Sequence, residues 1–239
     1  LLMFNAQSFG TTDPQFGLDN GFYVFVLPGL KLVLAAVAML LGVGLVFSVV
    51  THVLMGGIRI TMPVNGRGLF SITKRCRRQL GIWLMLNMFA WAVRQMIGVF
   101  DQLTVQGSRI TGASYTAVHA NIPVTFIMAA LTAILGVVLG IWLMRSHTLE
   151  GQASIGVRAS AALRAWRVPV TSIAVVVVVG LVLTVAWPVL LQRFRVNPNA
   201  QEMESTYIQR NIDATRAAYG LDKLKTEQYK VTDKGEQGA

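Results

Sequence analysis

Apolar positions in this chain gather into four nearly continuous blocks, at 29–55, 80–100, 123–144 and 169–191, separated by polar stretches. Each block matches the roughly 20 residues that a helix needs to cross the ~30 Å hydrocarbon layer of a bilayer. Only Lys31 and Arg94 carry charge inside them. Four apolar runs of this length, read as buried strands or core helices of a soluble protein, would demand far too large a core. The pattern predicts an all-α fold, a polytopic transmembrane helix bundle of four spans. A segment 1–28 precedes the bundle at 29–191, and a polar region 192–239 follows it.

The polar gaps add orientation. The gap 56–79 holds Arg59, Arg67, Lys74, Arg75, Arg77 and Arg78 with no acid, and 145–168 holds Arg145, Arg158, Arg164 and Arg167 against Glu150. Segment 1–28 has no Lys or Arg but has Asp13 and Asp19, and 101–122 has Arg109 as its one basic residue. Short basic loops stay in the cytoplasm, so the alternation predicts a multi-pass membrane protein with both chain ends extracytoplasmic. The leading Leu1, Leu2, Met3, Phe4 and Phe9 read as an interfacial piece or the tail of a preceding span, in a chain excerpted from a longer protein.

Composition agrees: 54% of residues are hydrophobic and 13% charged, too little polar surface for a soluble domain. The net charge of +10 is mainly a topology signal, since the basic residues sit beside the spans without interleaved stacking aromatics. Nucleic acid is therefore not an expected partner. Anionic lipid headgroups are, with Lys74, Arg75, Arg77 and Arg78 as the contacts. Two amphipathic stretches, Leu69, Phe70, Ile72 and Leu80 in one basic gap and Ile155, Ala159, Ala162, Leu163 and Trp166 in the other, read either as interfacial helices or as plain loops.

Within the spans, Gly136 and Gly140 form a GxxxG pair extended by Ala129 and Ala133, a face that lets another helix approach closely in this chain or in another copy. Asn87 and Arg94, seven residues apart, are the candidate intramembrane polar residues. Arg94 reads as snorkelling to the headgroups or pairing with Asp101. His52, His119 and His147 fall on different sides by topology and make no ligand set, and no nucleotide, zinc or serine-hydrolase motif occurs, so no metal or cofactor is expected. Cys76, the single cysteine, reads as an ordinary thiol, with lipidation beside its basic neighbours as the alternative.

After the fourth span, Asn199 with Glu202 three residues on predicts a helix start, and Gly220 a stop. Between them Met203, Tyr207, Ile208, Ile212, Thr215 and Tyr219 form an apolar stripe that wants a surface to pack on. The tail beyond is polar and low in apolar content.

Several stretches carry a family resemblance: Gly10-Thr-Thr-Asp-Pro-Gln-Phe-Gly-Leu-Asp19 with Gly21-Phe-Tyr-Val-Phe25 and Leu27-Pro28, Gly56-Gly-Ile-Arg59, Thr111-Gly-Ala-Ser-Tyr-Thr116 with Ala120-Asn-Ile-Pro123, and Asn197-Pro-Asn199 with Tyr207-Ile, Asn211-Ile, Ala214-Thr-Arg216 and Ala218-Tyr-Gly-Leu221. Collinear over nearly the whole chain, they resemble the middle portion of a large uncharacterised bacterial membrane protein family prominent in actinobacteria. The resemblance implies a parent with about seven N-terminal spans and a long extracytoplasmic region, and it carries over no catalytic residue. The functional expectation is a membrane anchor for a cell-envelope protein, working with the sibling spans and outer domain of its parent or within a larger assembly. The alternative is a transporter or channel-like subunit for a lipid or small solute. An enzyme built on Asp101, Arg109, Tyr115 and His119 is a third reading that no spacing supports.

Overall fold

A computed structural model of the chain describes residues 2–60, 70–104, 112–146, 155–221 and 224. Four of its helices are long and apolar enough to cross a membrane. We number them α1, Phe22–Leu54, α2, Lys74–Leu103, and α3, Ala117–Arg145. Helix α4 begins at Ile155–Leu181 and continues unbroken through Val182–Ala186, Trp187–Leu191 and Gln192–Val196. A fifth helix, α5, spans Ala200–Ala218. The helices overrun the apolar blocks because polar flanks such as Lys74 to Gln79 satisfy their backbone helically whether or not they touch hydrocarbon.

Helices α2 and α3 form the central pair, with α1 against α2 and α4 against α3. The α2–α3 seam is an antiparallel ladder. Alanine at Gly81 would strike the carbonyl of Gly140, Met88 fills the space over Gly136, Gln95 donates to the Thr132 hydroxyl at 3.1 Å, and Gln102 accepts from Asn121 at 3.3 Å. Gly81, Met88, Gln95 and Gln102 are spaced by seven, two helical turns each, so one stripe of α2 faces α3 throughout. A second stripe faces α1: the Trp83 ring lies where a side chain at Gly44 would stand, and Asn87 donates to the Leu41 carbonyl at 3.2 Å. The remaining surfaces of α1 and α4, from Leu32 and Val33 to Leu181 and Val185, are apolar and exposed.

Four short π-helical turns punctuate these helices, and each ends two residues before a proline. In each, the residue preceding Pro28, Pro123, Pro188 or Pro198 donates its N–H five residues back, to Phe22, Ala117, Val182 or Gln192. The cause is steric: a proline ring collides with the carbonyl four residues earlier and supplies no N–H, so the turn widens to take the extra residue. Pro169 sits inside α4 without a separate helix start. The stretch from Ile155 therefore runs directly into the fourth span and is neither a separate surface helix nor a loop.

Two carboxylates fold the N-terminal segment. Asp13 accepts from the backbone N–H groups of Gln15, Phe16 and Leu18 and from the Tyr23 hydroxyl at 2.7 Å. Asp19 accepts from the Ser8 hydroxyl and from the N–H groups of Phe9, Gly10 and Gly21. A Cβ at Gly21 would lie 2.2 Å from the Gln7 carbonyl oxygen, so only glycine fits there. Phe16 then docks edge-on to Phe100 at the end of α2, ring centroids 5.0 Å apart.

The Ser8 hydroxyl and the Phe9 amide hold the Asp19 carboxyl below its ordinary value. A lowered carboxylate contributes stability above its unfolded value and loses it as pH falls through its folded one. Hydrogen-exchange protection at Phe9, Gly10 and Gly21, corrected for intrinsic rates, is expected to hold at neutral pH and fall only below roughly pH 4.

The first basic gap contains an element the hydrophobic pattern leaves out, a two-stranded antiparallel sheet of β1, Ile58–Ile60, and β2, Phe70–Ile72, pairing Ile58 with Ile72. Arg67, Leu69, Arg109, His147, Glu150 and the tail from residue 225 lie outside the described residues, as do the side chains of residues 155–166.

Candidate functional site

Within the four apolar helices, hydroxyls such as those of Thr51, Thr125, Thr132, Thr171 and Thr184 turn back on a carbonyl of their own helix, while Asn87 and Gln95 reach a neighbouring one. Asn87 divides its amide between the Leu41 carbonyl of α1 and the Trp83 carbonyl of its own helix, at 3.2 and 2.9 Å. Gly136 and Gly140 face α2, where Met88 and Met85 occupy the space that side chains would take. Ala129 and Thr132 continue this buried face, and Ala133 is half-buried beside it.

Asp101 does not pair with Arg94. Lys31 reaches it from α1 and forms an ion pair with Asp101 Oδ1, the only salt bridge among the described residues. The antiparallel crossing brings Lys31 beside the last turn of α2, whereas Arg94 is about 10 Å back along the helix axis at 1.5 Å per residue. Arg94 is exposed.

At the opposite, basic end the four cationic candidates separate. Lys74 and Arg75 are exposed on the first turn of α2 and Arg78 at the start of the second. Arg77 is 0% exposed and donates from Nη1 to the Ser146 carbonyl at 2.5 Å. It therefore belongs to the packing between α2 and the C-terminus of α3, where a cation also suits the helix dipole, and it is not available to headgroups. The other three stand near a helix N-terminus, where like charge meets the positive end of the dipole, at a cost of about 0.3–1 kcal/mol each for Lys74 and Arg75 in the first turn. Cys76 is buried with Ile72 and Leu80 against Leu45, Ile58 and Leu143, a position no lipid-transfer chemistry reaches.

The end at which α1 and α3 begin carries α5. The N-cap Asn199 makes no side-chain cap bond, but Gly220, at φ 68°, terminates the helix in the left-handed region. What α5 buries is a carboxylate and not mainly its apolar stripe. Glu204 is 6% exposed and accepts from the Tyr115 N–H at 3.2 Å, while Ile212 and Tyr219 are exposed. Tyr115 stacks on His119 with ring centroids 4.0 Å apart and meets Tyr207 edge-on at 6.3 Å, with the Arg195 guanidinium 6.0 Å over its ring. Burial pushes the Tyr207 phenol above its ordinary value, the nearby Glu204 and Tyr115 adding to this and Arg210 opposing it.

Between α5, the Asp13 loop and the ends of α1 and α2 lies a cleft of about 360 Å³, whose walls include Tyr23, Val24, Leu103, Ala113, Tyr207 and Arg210. No spacing in the sequence points to it, since its walls come from four separate segments. The nearest signal is Arg210, placed one turn beyond Tyr207. Of the residue types suited to acid and base work, Asp101 is tied to Lys31 and Tyr115 to His119. No group of His, Cys, Asp and Glu suited to a metal ion occurs among the described residues.

The model of an uncharacterised protein family, UPF0182, matches residues 1–239. A UPF0182 protein of Bifidobacterium adolescentis is 77% identical over 239 residues, covering 100% of this chain and 22% of the relative. One of Kocuria rhizophila is 36% identical over 242 residues, with 100% of this chain and 22% of the relative covered, and one of Corynebacterium glutamicum is 34% identical over 217 residues, with 91% and 20% covered. The chain thus spans about a fifth of the length of these relatives. No solved structure matches it. The chain belongs to the uncharacterised protein family UPF0182.

Proposed function

We propose that this chain is the membrane-anchoring bundle of a cell-envelope protein, with its basic end in the cytoplasm of a bacterial cell and α5 leading into an extracytoplasmic region of the parent. The observation that carries this reading is the docking of α5, through buried Glu204 and Tyr115, on the end of the bundle opposite Lys74, Arg75 and Arg78. A helix held by a buried polar contact transmits the orientation of the bundle to whatever follows it, which a flexible linker does not. Anionic headgroups of the inner leaflet offset the dipole cost of the exposed cations. Of the features that favour a transporter, Asn87 is engaged by a backbone carbonyl and the glycines by methionines, while Arg94 is exposed.

The test is cysteine labelling of the full-length protein in intact cells, with its native cysteines, Cys76 among them, replaced by alanine. A membrane-impermeant maleimide is expected to modify Gln209→Cys on exposed α5 and to reach Arg75→Cys only after permeabilisation. The reverse pattern sinks the anchoring reading, because α5 would then lead into the cytoplasm.

A further inference from the structure

The cleft at the α5 end carries an unused charge. Of its two ionic residues, Asp13 is saturated by three backbone N–H groups and the Tyr23 hydroxyl and is 8% exposed. Arg210 is the opposite case. Its guanidinium lies 5.5 Å over the Tyr207 ring, it is exposed, and among the described residues no carboxylate pairs with it, the one ion pair being Lys31 with Asp101. The aromatic face orients a guanidinium without occupying its N–H donors, which leaves a planar fork suited to two oxygens of one phosphate.

Away from α5 the lining mixes aliphatic and polar side chains: Val24 in the first turn of α1, half exposed, Leu103 at the last residue of α2 and Ala113 stand beside Gln15, Asn20 and Thr104. The cleft thus joins one open cation to apolar surface contributed by the ends of two spans. Its size, about 360 Å³, falls in the range of about 300–1,000 Å³ typical of small-molecule sites.

We propose that this cleft binds an anionic amphiphile, its phosphate on Arg210 and its apolar part along Val24, Leu103 and Ala113. The orientation proposed above sets only which leaflet supplies the amphiphile, so binding in micelles stands or falls separately from the labelling result.

The experiment titrates full-length protein in non-ionic detergent with a phosphatidylglycerol carrying a fluorescent acyl chain, against phosphatidylcholine of the same chain and inorganic phosphate as competitors. Phosphatidylglycerol is expected to bind, and Arg210→Gln to weaken it about tenfold, the loss of one charge-assisted contact. Ala214→Phe, which fills the cleft from exposed α5, is expected to weaken binding similarly and decides the matter if Arg210→Gln does not accumulate. Arg216→Gln, which removes an exposed charge of α5 outside the cleft, keeps the site. Unchanged affinity in both cleft variants overturns the proposal, as does an equal loss of binding in Arg216→Gln. Displacement by inorganic phosphate as potent as by unlabelled phosphatidylglycerol overturns the amphiphile in favour of a soluble anion.

Discussion

Replacing Gly140 with alanine is expected to lower the unfolding midpoint of the protein in detergent, at a cost of about 1–3 kcal/mol for overpacking a closed contact. The new Cβ would lie 2.4 Å from Met85 Cγ, 2.6 Å from Met85 Cε and 2.9 Å from the Gly81 carbonyl oxygen. The methionine can swing aside, but the carbonyl belongs to the backbone of α2. Relief therefore requires α2 and α3 to separate, which strips contacts along the whole seam from Gly81 to Gln102. Helix association in a bilayer depends on such packing, because lipid offers apolar surface no worse than a neighbouring helix does.

This cause separates three further variants. Gly81→Ala is expected to be as damaging, its Cβ lying 2.8 Å from the Gly140 carbonyl oxygen. Met85→Ala added to Gly140→Ala restores part of the loss by removing the flexible clash, and it leaves Gly81→Ala unrelieved. Gly98→Ala, with nothing within 4 Å of its Cβ, is the control. It is expected to be neutral or stabilising by up to about 1 kcal/mol through helix propensity. An equal loss at Gly98 and Gly140 would show that the seam is not the cause.

Glu204→Ala is expected to release α5 while leaving the four long helices folded. The substitution removes the acceptor of the Tyr115 N–H from a site where Glu204 is 6% exposed, and an orphaned buried donor costs about 1–3 kcal/mol. That cost falls on local opening and not on global unfolding, because α5 contributes little apolar burial of its own. Trypsin cleavage after Arg210 and Arg216 is expected to accelerate about tenfold or more, each 1.4 kcal/mol being a factor of about ten. Glu204→Gln keeps an acceptor oxygen and is expected to recover much of the protection. Cleavage at the same rate in Glu204→Ala and the unaltered protein would mean that α5 is held by other contacts.

Much of the fold was legible residue by residue. The four spans follow from block length, since transfer of a helix into hydrocarbon depends on its own composition and little on its neighbours. Gly220 as the stop of α5 follows from the left-handed conformation that L side chains resist. Other features were not legible, because they depend on which surfaces meet. Arg75, Arg77 and Arg78 are one residue type within four positions, and only the phase of α2 against the end of α3 turns Arg77 inward. Asp101 stands on the same helix as Arg94, yet its partner comes from α1, seventy positions earlier in the chain.

The number of spans, the separation of basic from acid-bearing ends, the fifth helix and the family relationship can all be read along the chain. These depend on local composition, on backbone sterics and on a collinear set of motifs. It takes the packing of the helices to make α2 and α3 the central pair, to set Asn87 on a backbone carbonyl, to pin α5 by a buried carboxylate, and to bring four separate segments around a cleft with one open cation. Apolar helices look alike one at a time, and which of them touch is set by close fits such as Gly81 against Gly140 and Trp83 in the space at Gly44.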